Sequence, residues 1–188
     1  MSTANAGGYS ATQTRTISTA LDLFARHGVA GTSLQMIADA LGVTKAAVYH
    51  QFKTKDEIVL AVADAELARL ASVIEAAEAQ PSAAQARDEL VVRIVDLAVE
   101  HRHALSAILS DPVIARFYGK HEPFRHVMDR LNRVLMGDDA GPDAGVTIAM
   151  LTAAISGAVM HPLVVDLDDD TLRSQLLRLA RRFLDIPA

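Results

Sequence analysis

Cysteine and tryptophan are both absent from this chain of 188 residues. Without cysteine there is no disulfide framework, no thiolate metal site and no cysteine nucleophile, and the lack fits a reducing, cytoplasmic setting. Aromatic residues are only 4% of the chain while hydrophobic ones reach 51%, so Ala, Leu, Val and Ile must fill the core. Such a mixture favours helices over strands. No run alternates for long enough to read as a strand, and no internal repeat is visible. Neither a Gly-rich phosphate loop nor a Gly-x-Ser-x-Gly elbow is present. Met1 to Thr14 has no basic start and no apolar run, so a secretory leader is not expected. The expectation is an all-α chain of about nine helices.

Basic residues are also in deficit, 18 against 23 acids, for a net charge of −5. Taken whole, that balance argues against a polyanion partner, but the distribution reverses the argument. Residues 1–60 carry five basic side chains (Arg15, Arg26, Lys45, Lys53, Lys55) against four acids, and the stretch from Thr44 to Lys55 holds three lysines and no acid. Residues 61–188 carry 13 basic and 19 acidic side chains. Such asymmetry directs the search for nucleic-acid binding to the N-terminal end.

Residues 1–9 read as a disordered polar arm. Ser10 can cap a first helix with an apolar stripe of Ile17, Ala20, Leu21, Phe24 and Ala25, which Gly28 ends. Ser33 caps a short helix through Ile37 and Ala38 to Leu41, and Thr44 caps another ending near Phe52. Thr54 with Glu57 forms a capping box for a long helix that Pro81 stops. Beyond it, Leu90, Ile94, Leu97, Ala98 and His101 make one stripe and Phe124, Val127, Met128, Leu131 and Leu135 a second. Two more helices follow at roughly 143–161 and 168–184. The division is an arm over 1–9, a three-helix unit over 10–55, and a longer helical unit over 56–188.

The segment Leu34 to Phe52 carries the functional signal. Two helices crossing steeply over a tight turn need a small residue at the crossing (Ala38) and a glycine that accepts a left-handed backbone (Gly42). Ile37, Leu41, Val43, Val48 and Phe52 are expected to face inward. The outward face of the second helix then shows Thr44, Lys45, Ala46, Ala47, Tyr49, His50 and Gln51. The two alanines permit close approach to a major groove and can touch a thymine methyl. Lys45 can bond guanine, Gln51 adenine, and Thr44 a base or phosphate. Tyr49, Lys53, Lys55 at the start of the next helix, and Ser33 suit phosphates, and Gln35 a base edge.

The stretches Ala20–Gly28, Gly31–Ala38, Gly42–Lys45 and Val48–Glu57 resemble the N-terminal domain of TetR-family transcriptional regulators. The resemblance spans residues 15–58, about a quarter of the chain. It implies a homodimer, commonly a repressor, that binds a palindromic operator on double-stranded DNA and is released by a small ligand, with no catalytic activity and no cofactor. The family's DNA contacts map onto Ser33, Gln35, Thr44, Lys45, Ala46, Tyr49, His50, Gln51 and Lys55. Many members carry Gly-Thr or Gly-Ser where this chain has Ala46-Ala47, so base preference does not carry over. A helix-turn-helix regulator without an effector is the alternative within the same class.

In that family the last two long helices form the dimer interface. Here Leu151, Ile155 and Val159 make one stripe and Leu172, Leu176, Leu179 and Phe183 another, an apolar surface that twofold pairing would cover. The residues from Ala144 to Val165 include no Asp, Glu, Lys or Arg. Pro162 interrupts them and acids flank them, so a buried helix rather than a membrane span is expected. An apolar or amphipathic effector would be lined by Ile94, Leu97, Ile108, Phe117, Phe124, Met128 and Met150, with His101, Tyr118, His121 and Ser156 as polar contacts. The fourth helix would carry its signal to the DNA-binding domain. A metal-dependent hydrolase is the enzyme alternative, but the histidines lack ligand spacing. His101 and His103 lie about 200° apart on a helix, and His121 and His126 are five residues apart.

Overall fold

In the computed structural model, residues 8–102, 121–137 and 141–186 are described, and they form eight helices with no strand among them. The helices are α1 (Ala11–Gly31), α2 (Leu34–Leu41), α3 (Lys45–Gln51), α4 (Lys55–Glu78), α5 (Ala83–Glu100), α6 (Glu122–Met136), α7 (Ala144–Ala158) and α8 (Asp169–Phe183). Among the described residues no helix is long and apolar enough to cross a membrane. The chain divides into two compact units. Residues up to Arg69, with His121, belong to the first, and Leu70–Arg102 with the residues from Glu122 onward belong to the second.

The first unit is built by local capping around one apolar core. Ser10 accepts a hydrogen bond from the Gln13 amide while Gln13 accepts one from the Ser10 amide, so two donors at the start of α1 are satisfied reciprocally. Ile17, Ala20, Leu21 and Phe24 on α1 are buried with Ile37 and Ala38 of α2, Val48 of α3, Phe52, and Ile58, Val59 and Val62 of α4. Gly28 interrupts α1 at φ 69° and ψ 164°, a backbone region open only to glycine. The chain turns there and buries Val29 and Thr32. Tyr9, at the end of the polar arm, packs on this core with its ring 6.5 Å from that of Phe52. Burial pushes both the Tyr9 hydroxyl and the Asp64 carboxyl, which hydrogen-bond each other, above their ordinary ranges.

In the second unit α5 packs against α6, α7 and α8. Its buried face is Leu90, Val91, Val95, Ala98 and Val99. Ile94 and Leu97 are only half-buried, so the stripe is rotated by about one residue from the expected one. Three ion pairs set α5 antiparallel to α8: Asp88 with Arg181 at 2.7 Å, Asp96 with Arg173, and Arg102 with Asp169 at 3.3 Å. Asp168 caps α8, accepting from the Thr171 amide and hydroxyl, and these bonds hold its carboxyl below the usual range.

Glu78, the last residue of α4, receives two hydrogen bonds from the Arg130 guanidinium of α6, at 3.1 and 2.6 Å. Those bonds hold the Glu78 carboxyl below the ordinary glutamate range. A group depressed on folding adds stability above its unfolded pKa, and that stability is lost as pH falls through its folded pKa. The melting temperature of Glu78→Gln should therefore lie below that of the native chain near neutrality. The two curves should converge as pH drops below the carboxylate range. A constant gap across that range would exclude the pair as an acid-labile tie.

The expected dimer stripes require correction. Leu151, Ile155, Val159, Leu172 and Leu176 are buried within the single chain, as part of its own core. Only Leu179 (51% exposed) and Phe183 (46%) face outward, joined on α7 by Val146 (60%) and Met150 (56%). Ala149, Ala153, Ala154 and Gly157 are exposed beside them. The reason is that α7 is apolar all round, so a period of four residues fits its inner and outer sides equally well.

Candidate nucleic-acid interface

Local chemistry dictates the helix-turn-helix geometry. The Ser33 hydroxyl accepts from the Met36 amide at 3.2 Å and opens α2. At the other end Gly42 takes the left-handed conformation, φ 68° and ψ 31°, and its amide and that of Val43 bond back to the carbonyls of Asp39 and Ala38. Thr44 then caps α3 by accepting from the Ala47 amide at 3.2 Å. Ala38 is wholly buried beside Ile37 and Val48, which lets α2 and α3 pack closely. Val43 was expected inward but is 43% exposed, because the turn uses its amide and not its side chain.

Of α3 only Val48 is buried. Thr44, Lys45, Ala46, Tyr49 and His50 are exposed, and Ala47 is half-buried at the edge of that face. Ser33 and Gln35 lie exposed at the start of α2, where the Gln35 amide donates to Asp39 at 2.7 Å. The Lys53 ammonium sits 5.5 Å from the centre of the Tyr49 ring and 3.5 Å from the His50 carbonyl, which places an exposed cation at the end of α3. An ammonium over an aromatic face is attracted by the ring quadrupole, so its position is partly set before any ligand arrives.

Two expected contacts are engaged elsewhere. Gln51 is half-buried, its carbonyl oxygen accepting from the buried Thr16 hydroxyl of α1 at 3.0 Å and its amide nitrogen donating to the Ala47 carbonyl at 3.3 Å. Both ends of the group that would read adenine are thus used within the head. Lys55 is half-buried, and its ammonium donates to the carbonyls of Val29 at 2.9 Å and Thr32 at 3.2 Å. The capping box at α4 also differs by one residue. Thr54 accepts from the Glu57 amide at 3.1 Å, but Glu57 reaches back to the amide of Lys53 at 2.7 Å. Thr16 and Thr32, which complete these arrangements, carry no sequence signal of their own, since each is a small polar residue whose partner lies in another element.

The expected effector contacts are dispersed. Ile108, Phe117 and Tyr118 lie outside the described residues. Ile94, Leu97, His101, Phe124, Met128 and Ser156 are half-buried in the second unit. Met150 faces outward, so it cannot line an internal pocket. His121 belongs to the first unit, with its Nε2 3.6 Å from the Asp64 carboxylate. Among the described residues no three His, Asp or Glu side chains converge as a metal site would require.

The exposed face of α3 offers a cation, a phenol, an imidazole and a methyl group on a short helix, the chemistry that edges of bases and phosphates accept in a major groove. Residues 17–62 match the family of bacterial regulatory proteins, tetR family. The whole fold is similar to that of the fatty acid degradation regulator FadR from Bacillus halodurans, with a TM-score of 0.77 and 16% identity over 94% of this chain and 96% of that one. It is similar also to the TetR-family regulator PfmR from Thermus thermophilus, with a TM-score of 0.64 and 20% identity over 91% and 97%. A third similar structure is the complex of SmeT with triclosan, with a TM-score of 0.65 and 23% identity over 92% and 90%.

Proposed function

We propose that the chain is a transcriptional regulator and not an enzyme, a homodimeric repressor released from a palindromic operator by a small ligand. The tetR-family match over residues 17–62 and the fold shared with solved regulators support this reading. The observation that carries this reading is the exposed Thr44, Lys45, Ala46, Tyr49 and His50 face of α3, held outward by a core that buries only Val48 of that helix. Lys45 and Tyr49 reach base edges or phosphates, His50 and Thr44 bond whichever lies beside them, and Lys53 neutralises a backbone phosphate. Ser33 and Gln35 add contacts from α2.

The dimer is supported by the uncharged outer face of α7 and by the apolar side chains that α8 exposes beside Arg178 and Arg182. Val146, Met150, Leu179 and Phe183, with the small residues between them, form an apolar surface of a kind soluble proteins keep covered. A second copy of the chain would bury it and set two α3 helices about one DNA turn, roughly 34–36 Å, apart. The effector reading is supported by half-buried Ile94, Leu97, Phe124 and Met128 on α5 and α6, which pack together, and by the complex that SmeT forms with triclosan. An apolar or amphipathic molecule fits such side chains.

Selection from a random pool of duplexes tests the central claim. The purified protein is expected to enrich a sequence with twofold symmetry and to retard it in a gel at modest ionic strength. Enrichment of nothing over the starting pool would overturn the reading. A bound duplex that a panel of apolar compounds fails to release would remove the effector part alone.

A further inference from the structure

We infer that Lys55 is a positioning residue for DNA binding, whose ammonium ties the start of α4 to the corner between α1 and α2 and does not neutralise a phosphate. The inference rests on the reading of α3 as the DNA-facing helix. The break at Gly28 creates the need for such a tie. Where a helix is interrupted its last carbonyls lose their intrahelical partners, and buried carbonyls left without donors are costly.

Two side chains answer that need. The Thr32 hydroxyl, wholly enclosed, lies 2.8 Å from the Gly28 carbonyl and 3.3 Å from that of Leu23. The Lys55 ammonium takes the next two, the carbonyls of Val29 and Thr32, reaching 26 and 23 residues back along the chain. Lys55 thereby reinforces the cap that α1 makes for itself, in which the Thr32 amide donates to the Val29 carbonyl at 3.3 Å, and adds a donor for the Thr32 carbonyl. The corner it holds runs directly into Ser33 and Gln35, so the entry of α2, and of α3 packed on it, is fixed to the first residue of α4.

The start of α4 is in addition a poor seat for a phosphate. Its first turn carries Asp56 and Glu57, and the Glu57 carboxylate already accepts from the Lys53 amide. An anion placed there would meet two negative charges at close range. Of the three lysines between Thr44 and Lys55, the exposed pair, Lys45 and Lys53, is left to face DNA.

Trace acetylation of the intact protein, read at each lysine by mass spectrometry, separates the two roles. In free protein Lys55 should label several-fold more slowly than Lys45 and Lys53. Adding a duplex selected by the native protein should slow Lys45 and Lys53 and leave Lys55 unchanged. Equal labelling of Lys55 and Lys53 in free protein overturns the tie, and so does fresh protection of Lys55 by the duplex. Binding measured over a range of salt gives the second readout. Lys55→Met keeps the aliphatic stem without the donors. It should weaken binding roughly tenfold, one hydrogen bond's worth, on a line parallel to that of the native protein. Lys55→Arg should restore most of the loss, while Lys53→Met should lower the salt slope by about one. A slope lowered by one in Lys55→Met overturns the proposal. If the native protein retained no duplex, the DNA reading itself would fall, and the labelling of free protein would still decide whether Lys55 is tied.

Discussion

Replacing Leu179 and Phe183 together by arginine is expected to turn the proposed dimer of about 40 kDa, twice the 20.1 kDa chain, into a monomer that no longer retards the selected duplex. Both side chains project from α8 beside the exposed Arg178 and Arg182. Across a twofold axis the added charges would meet like charges on a desolvated apolar surface, and unpaired buried charge is among the costliest changes an interface can suffer. Loss of the dimer costs DNA binding more than any single contact does, since each half-site then binds alone. Light scattering and gel retardation read the two effects separately. Leu176→Arg is the informative contrast, because Leu176 lies in the chain's own core and its replacement should unfold the second unit instead. If the Leu179 and Phe183 variant remained at twice the chain mass, the dimer would have to use another surface.

Phe24→Ala is expected to be the most damaging truncation in the DNA-binding head. The ring has no exposed surface and packs with Ile37, Val48 and Phe52, so it joins α1 to the two helices of the motif. Emptying such a site costs about 3–5 kcal/mol, a large part of the roughly 5–15 kcal/mol that holds a domain folded. The head's melting temperature should fall by more than about 10 °C, and duplex retention at 37 °C should disappear with it. Circular dichroism checks the first and gel retardation the second. Leu163→Ala, at the most exposed large apolar side chain among the described residues, should leave both unchanged. A melting temperature within a few degrees of the native value would mean that the core closes around the missing ring.

The parts of this fold that are legible in the sequence are those decided by neighbours within four residues. Ser10, Ser33 and Thr44 cap helices because a hydroxyl three residues before an orphan amide needs no other help. Gly42 turns the chain because the left-handed backbone is a property of glycine itself. Gln51, Lys55, Leu151 and Ile155 are misplaced because their surroundings are set by distant partners. Gln51 looks free on a helical wheel until Thr16, 35 residues earlier, is brought beside it. Lys55 looks like a surface cation until the Gly28 break presents it with two carbonyls. Leu151 and Ile155 share their periodicity with Val146 and Met150, and only packing against α5, α6 and α8 decides which pair faces inward. Apolar pattern thus identifies that a surface must be covered, without saying whether the same chain or another copy covers it.

The bond between Thr16 and Gln51 narrows how this regulator can acquire a new target. A library that varies positions 45, 46, 49 and 50 changes what meets the bases while leaving the seating of the reading helix intact. A library that varies position 51 as well contains many heads that lack the side-chain bond joining α1 to α3, the Thr16 hydroxyl then turning to the Thr12 carbonyl 3.1 Å away. Drift toward new operators should therefore move first through the middle of the helix, where no bond between α1 and α3 is lost.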